Sequence, residues 1–401
     1  MKLTINNIGK LKNAEVEING ITVIAGENNT GKSTVGKVLW SIFNSFYNIS
    51  AKILDKKEEE IMRILSEENI FNDKELRTIT KKIIEEKQLK KLKKNLKINK
   101  EDFNSIEKKI NNTLSDNKSD KEKIILNKLN DEFEYQVKNI FTKNKKSKIL
   151  LKIKDKDEIN MEISENGLKI LSSFDIKEQV AFIDDPYILD EIGIFSIKTI
   201  EASHRIDLKE NLKIEKIDNI YTQKNIEEEL NVILKKLDDV FDGDLTNDTF
   251  TEEFFYVQNN TDEGINIKNL STGLKSFAII KILLQNGFLK KRGTIIFDEP
   301  EIHLHPEWQI KFAELIVLLQ KEFGMHILLT THSPYFLKAI QVYSKKYEIE
   351  NKCKYYMSET IGKSSILVDK TNKLQDIFYK LTIPFEDLMN EEDLLWKKTR
   401  I

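Results

Sequence analysis

Gly26-Glu27-Asn28-Asn29-Thr30-Gly31-Lys32-Ser33-Thr34 decides the reading of this chain. It matches the phosphate-binding pattern G-x-x-x-x-G-K-[ST], and its flanks are those the pattern requires. Ile21 to Ala25 is a continuous apolar run, as a buried strand is, and after Ser33 the residues Val38, Leu39, Ile42 and Phe46 recur at helical spacing. The glycines let the backbone wrap so that its amides point inward at phosphate oxygens, and the helix adds its positive end. Asn28, Asn29, Thr30, Gly31, Lys32, Ser33 and Thr34 are therefore the candidate ATP contacts. Lys32 is placed for the β- and γ-phosphates, and the Ser33 hydroxyl for Mg²⁺.

Three further stretches lie far along the chain. Thr294-Ile295-Ile296-Phe297-Asp298-Glu299-Pro300 is a buried strand ending in two carboxylates, at the edge where open α/β sheets bind ligands. Asp298 suits a metal shell, and Glu299 suits a base that orients or deprotonates water. Asn269-Leu270-Ser271-Thr272-Gly273-Leu274-Lys275-Ser276 opens a helix, so Ser271 and Gly273 form a second place for a phosphate. Read plainly, Ser271 is a good helix cap. Ile327-Leu328-Leu329-Thr330-Thr331-His332 is another apolar strand with a polar end.

These motifs, in this order, resemble the ABC ATPase superfamily, with LSTG standing where that family has LSGG. The resemblance is specific over residues 1–50 and about 265–340. It implies an α/β fold: an ABC-type head with a P-loop mixed sheet flanked by helices, carrying a long α-helical insertion. It makes His332 a switch histidine that contacts the γ-phosphate beside the catalytic Glu299. In that family the P-loop and the signature lie on opposite sides of one chain, so two chains close head-to-tail on ATP. A glutamine that links phosphate to closure is also implied; Gln136 and Gln179 are the candidates. Glu301-Ile302-His303-Leu304-His305-Pro306 is similar to the EPE-x-x-LHP stretch of the OLD, RecF and SMC-like group, where it forms a dimer-facing loop that makes His305 and Pro306 candidate contacts across the dimer.

Around these motifs, residues 51–146 contain no glycine or proline and are dense in charge. Their narrow apolar stripes are Leu89-Leu92-Leu96, Phe103-Ile106-Ile110-Leu114 and Leu126-Leu129-Phe133-Val137-Ile140, with the best turn at 111–120. The expected organisation is a P-loop lobe over 1–50 and 147–190, a protruding helical insertion over 51–146, a signature and carboxylate lobe over 191–350, and closing strands and a helix over 351–401. A hairpin is expected over 148–163, a strand at 179–183, a helix over 225–241 and short strands at 254–257 and 265–267. Asp184-Asp185-Pro186 reads as a turn rather than a metal pair.

Acids and bases nearly cancel, to a net charge of −2, so electrostatics alone force no nucleic-acid or membrane partner. With Cys353 as its one cysteine, the chain can form no internal disulfide. No apolar run reaches the ~20 residues of a membrane span, and the N-terminus lacks the apolar core of a signal peptide, so a cytoplasmic protein is expected. Short AAA-type ATPases of the resembled kind occur in antiphage systems such as Septu, PARIS and retron-associated modules, where the ATPase senses or scaffolds and a separate effector destroys nucleic acid. The resemblance thus implies an effector protein as partner, with no nuclease activity in this chain, because no carboxylate-rich Toprim pattern follows His332. Three rival readings stand beside it. The chain could be a RecF- or SMC-like clamp gripping DNA through residues 81–100, a slow ATPase serving mainly as a scaffold, or, most weakly, a transporter subunit.

Overall fold

The computed structural model describes residues 1–67, 73–86, 100–115, 117–143, 146–153, 157–193, 203–213, 232–238, 240, 243–248, 250–251, 253–259, 261 and 263–398. Its elements, in chain order, begin with β1 (Lys2–Ile8), β2 (Leu11–Glu17), β3 (Ile21–Ala25) and α1 (Lys32–Phe46). Four helices follow: α2 (Ile49–Ser66), α3 (Asp73–Glu86), α4 (Lys100–Ser115) and α5 (Asn117–Glu132). Next come β4 (Ser147–Lys152), β5 (Glu158–Ser164), β6 (Gly167–Ser172), β7 (Val180–Ile183), α6 (Ser203–Leu212) and α7 (residues 232–238). Then β8 (Gly243–Asn247), β9 (Phe254–Gln258) and β10 (Gly264–Asn266) precede α8 (Thr272–Gln285) and β11 (Thr294–Asp298). The chain continues through α9 (Pro306–Phe323), β12 (His326–Thr331), α10 (Pro334–Lys346), β13 (Cys353–Ile361), β14 (Ser364–Asp369) and α11 (Leu374–Lys398).

Eleven strands form one mixed sheet in the order β6-β5-β4-β1-β2-β14-β13-β3-β12-β11-β7; β10-β9-β8 form a second, antiparallel sheet. β13, β3, β12, β11 and β7 run parallel. A parallel block must be covered on both faces, and its strands read as unbroken apolar runs for that reason. Alternation divides them: Ile21, Val23, Ala181, Ile183, Ile295, Phe297, Ile327 and Leu329 join one core. Ile24, Val180, Phe182, Ile296 and Leu328 join another on the opposite face, with α1 over it. The parallel register lines up the C-terminal ends of β3, β12 and β11, so Ala25, Thr331 and Asp298 all deliver their loops to one edge.

The stretch 51–146 divides in two. Ile61, Ile64, Leu65, Leu76, Ile83, Phe103, Ile106 and Ile110 pack on one another as a small core of α2, α3 and α4. The narrow stripes in this part are therefore spent within the insertion. Ile125 and Leu129 of α5, and Ile49 and Ile53 at the start of α2, belong instead to the core beneath α1. The helix expected to carry this stripe through Phe133, Val137 and Ile140 ends earlier, although Phe133 and Val137 still pack on that core. α5 stops at Glu132, Glu134 and Tyr135 turn left-handed, and Ile140 is exposed. The turn expected at 111–120 is also narrower, since α4 reaches Ser115 and α5 starts at Asn117. The hairpin at 148–163 gains a third strand, β6, across a turn at Glu165 and Asn166. The Leu89-Leu92-Leu96 stripe, most of the proposed 81–100 grip and residues 225–231 lie outside the described residues.

Candidate functional site

The fully buried β3 hands the chain to a loop that must turn back on itself within six residues. Gly31 makes this possible: it caps α1 at φ 82°, where a Cβ would also press on the Leu11 side chain at 3.3 Å. Asn29 takes the same left-handed region, which asparagine tolerates. The loop is pinned by Thr30 Oγ1 donating to Glu27 O (2.8 Å) and by Ser358 Oγ of β13 donating to Thr30 O (2.7 Å). Lys10, Asn28, Asn29, Thr30, Gly31, Lys32, Ser33, Thr34 and Glu299 line a cleft of about 340 Å³ over it. Thus all seven candidate contacts of the motif face one space.

Lys32 is the charge at the floor of this cleft and is only 3% exposed. Its Nζ donates to Gly26 O (3.1 Å) and Glu27 O (2.9 Å) and lies 2.9 Å from Glu299 Oε1. A buried ammonium needs such partners, and the chain itself supplies them. Ser33 hydrogen-bonds Asp298, which also accepts from Thr330 Oγ1 at 2.5 Å. Burial, with Glu299 and Asp184 adding like charge, pushes the Asp298 carboxyl above its ordinary range against those two hydrogen bonds. A hydroxyl and a carboxylate already in contact at the phosphate loop suit Mg²⁺, which takes few protein ligands and fills its octahedron with phosphates and water. Among the described residues no group of three or more His, Cys, Asp or Glu side chains could hold a metal unaided. The site residues therefore fit a metal that arrives with a nucleotide.

Glu299 sits at φ 49°, a strained value for a non-glycine residue. It is kept there by its N–H donating to Thr330 O (3.2 Å) and Thr330 Oγ1 (3.0 Å). His332 Nδ1 approaches Glu299 Oε2 at 3.5 Å, so the strand ends bring the sequence-expected base and histidine together. Sequence reasoning missed what fixes them. Glu301 is buried, and its Oε1 accepts from Thr331 Oγ1 (2.5 Å) and His332 N (3.0 Å), tying the two loops together. Burial raises the Glu301 pKa above the usual glutamate range.

Ser271 caps α8 by accepting from Leu274 N at 3.4 Å, and its side chain is exposed. A Cβ on Gly273 would meet the Trp308 ring at 3.0 Å, so the helix start packs closely on α9. Thr272 Oγ1 donates to Tyr187 Oη, and the buried Lys275 pairs with Asp190 at 2.6 Å. Ser271 and Gly273 do not line the cleft of their own chain. His305 caps α9, with Pro306 in its first turn, and both are exposed.

Neither glutamine candidate lines the cleft. Gln136 is exposed in the turn after α5, and it is not among the residues lining the cleft. Gln179 precedes β7 at the strand's N-terminal end, lining a separate pocket with Lys290 and Met325. The ligand-facing ends of parallel strands are their C-terminal ends. At that end of β7 stands Asp184, one residue beyond the Ile183–Phe297 pair and so abreast of Asp298. Asp185 does make a turn, accepting from Tyr187 N at 2.9 Å. Asp184 instead meets the buried His204, whose Nε2 lies 3.0 Å away as an ion pair without hydrogen-bond alignment. His204 Nδ1 contacts Glu132 Oε1 at 2.8 Å. Burial acts to lower the imidazole pKa, but the two carboxylates outweigh it and push it up to about 9. The sequence signal for Asp184 was present: Val-Ala-Phe-Ile-Asp repeats the apolar-strand-then-acid pattern of Thr294 to Asp298.

A family profile described as an AAA ATPase domain matches residues 1–337. The chain belongs to the AAA ATPase domain family. It is accordingly an AAA-type ATPase, and proteins of this family use ATP, usually with Mg²⁺. Among solved structures it is similar to an SMC head bound to the C-winged helix domain of ScpA, at 13% identity and TM-score 0.48, covering 92% of this chain and 97% of that one. It is also similar to the SMC head domain from Thermotoga maritima, at 12% identity and TM-score 0.42, with the same coverage. No helix among the described residues of this AAA-family chain is long and apolar enough to cross a membrane.

Proposed function

We propose that this AAA-family ATPase is a nucleotide-driven switch that closes head-to-tail with a second copy and reports that closure to a partner effector in antiphage defence. The observation that carries the reading is the separation of its two phosphate-binding features. Lys32, Ser33 and Glu299 line the cleft, with Asp298 hydrogen-bonded to Ser33 and His332 3.5 Å from Glu299, whereas Ser271 and Gly273 open α8 outside it. A loop that wraps a phosphate from one side leaves its outer oxygens to water. An exposed helix N-terminus supplies the missing donors when another protomer docks.

In this reading the loop amides and Lys32 hold the phosphates, and Lys32 gives up Glu299 to do so. Ser33 and Asp298 would hold the magnesium that accompanies the nucleotide, whose charge would offset that developing on the phosphates. Glu299, freed from Lys32, orients the attacking water and accepts its proton, and His332 reaches the terminal phosphate from the neighbouring strand end. The module of α2, α3 and α4, which has its own small core, is in this reading the part offered to the effector. Nucleic-acid cleavage is assigned to that effector.

The experiment is light scattering of the full chain with a Glu299→Gln substitution, with and without ATP and Mg²⁺. The reading expects a dimer that forms only with nucleotide. A monomer under both conditions overturns it. Duplex DNA that raises wild-type turnover severalfold, with no effector required, replaces the defence role by an SMC-like DNA role.

A further inference from the structure

His204 lies outside the nucleotide cleft yet sits at the junction of three parts of the molecule. It is the second residue of α6 and is 2% exposed, stacked on Phe182 (ring centroids 4.3 Å apart) and edge-on to Trp40 (6.0 Å). Its two ring nitrogens lie close to carboxylates from different elements: Nδ1 is 2.8 Å from Glu132, the last residue of α5, and Nε2 is 3.0 Å from Asp184, the first residue after β7. Its backbone N–H also donates to Glu132 Oε2 at 3.2 Å, so one glutamate grips both the ring and the helix start. A neutral imidazole has one donor and one acceptor, whereas a cation has two donors and matches two carboxylates. The raised imidazole pKa agrees with that geometry.

The connections run on in both directions. Lys37 of α1, one turn beyond the phosphate loop, donates to Glu132 O at 3.3 Å. Arg205, the next residue of α6, contacts Asp184 (3.3 Å), Asp185 (3.2 Å) and Glu191 (2.9 Å). The 3₁₀ turn Pro186–Glu191 in turn reaches the start of α8 through Tyr187–Thr272 and Asp190–Lys275. Asp184 is thus held by His204 and Arg205 and lies abreast of Asp298 on the neighbouring strand, close enough to add like charge to it.

We propose that His204 is a positioning residue, a buried cationic bridge that fixes Asp184 beside the Ser33–Asp298 pair and links that strand end to the last residue of α5. The proposal rests on the reading of Ser33 and Asp298 as the magnesium edge of the site. Without the bridge, Asp184 keeps, among the described residues, only its contact with Arg205, and the carboxylate field around Asp298 changes. Nucleotide grip through Lys32 is expected to be untouched, because among the described residues no hydrogen bond or ion pair joins the bridge to Lys32, which is held by Gly26, Glu27 and Glu299. The signature is a loss in kcat with a shifted Mg²⁺ requirement and little change in the KM for ATP.

The test uses the full chain carrying His204→Phe, which keeps a ring against Phe182 and Trp40, or Asp184→Asn, which keeps shape and loses charge. Turnover is measured against ATP and against Mg²⁺. Both variants are expected to lose at least tenfold in kcat, to keep the KM for ATP within threefold and to shift the Mg²⁺ half-saturation severalfold. A Glu132→Gln, Asp184→Asn double variant should be less damaging than the product of the single losses, and that coupling should vanish when His204 is Phe. Should His204→Phe fail to fold, the Asp184→Asn result and its coupling to Glu132→Gln still decide. Wild-type kcat and Mg²⁺ dependence in Asp184→Asn, or multiplicative losses in the double variant, overturn the proposal. Lys32→Ala and Asp298→Asn run alongside. If they also leave turnover intact, the reading of the site itself has failed; if they abolish it while Asp184→Asn does not, only the bridge has failed.

Discussion

The phosphate loop leads into the N-terminus of α1 and Ser271 caps the N-terminus of α8, yet the molecule treats these two helix starts differently. The first is closed: Lys32 is buried, its charge is met by two loop carbonyls and by Glu299, and strands on both sides hold the geometry. The second is open: Ser271 makes one long cap contact and faces solvent, while the packing behind it, from Gly273 against Trp308 to Lys275 against Asp190, is tight. Preorganisation in the first serves a ligand the chain binds alone. A rigid base beneath an open end in the second serves docking with something else.

The contrast breaks most sharply at the Lys32–Glu299 ion pair, where removing either partner has opposite consequences. Glu299→Gln should slow hydrolysis by about 10²–10⁴-fold, the range for losing a positioned base. The same variant should bind ATP a few-fold tighter, measured by calorimetry, since Lys32 no longer has a carboxylate to give up. Lys32→Ala should weaken ATP binding by roughly 100-fold, the order expected for losing a buried charge contact. Near-normal affinity in that variant would remove the phosphate-loop assignment, and unchanged affinity in Glu299→Gln would mean the ion pair does not compete with nucleotide.

A smaller effect separates the buried bridge from the open helix end. His204 has a folded pKa of about 9 against an ordinary 6.5, so its stabilisation is fully present below about pH 6.5 and is lost as pH rises through 9. Its upper bound is on the order of 3 kcal/mol from the size of that shift. The Tm gap between wild type and His204→Gln should therefore be widest near pH 6 and shrink toward pH 10. A gap that stays constant across that range would show His204 acting through packing alone.

Much of this was legible in the sequence for a local reason. A buried parallel strand must be apolar throughout and must end in whatever it presents, so 21–34, 294–299 and 327–332 each carry strand and chemistry in one window. Neither glutamine candidate could be placed from sequence, because whether a residue near a strand reaches the cleft is set by strand direction and packing; neither lines it. The division of 51–146 was hidden because narrow apolar stripes do not name their partner. α4 meets α2 and α3, while α5 meets α1. Glu132, Asp184 and His204 come from three separated segments, and only the fold brings the two carboxylates to 2.8 and 3.0 Å from the imidazole.

The most direct test of the two-site account is a mixture of Ser271→Arg with Lys32→Ala. Each parent should be nearly inactive, the first because its bulky cation blocks docking, the second because it cannot hold phosphate. In the mixed dimer one composite site carries both lesions and the other carries neither, so a one-to-one mixture should recover about a quarter of wild-type turnover if pairing is random. Turnover no greater than that of the parents, with mixed dimers shown to form, would contradict the account and place the complete site within one chain.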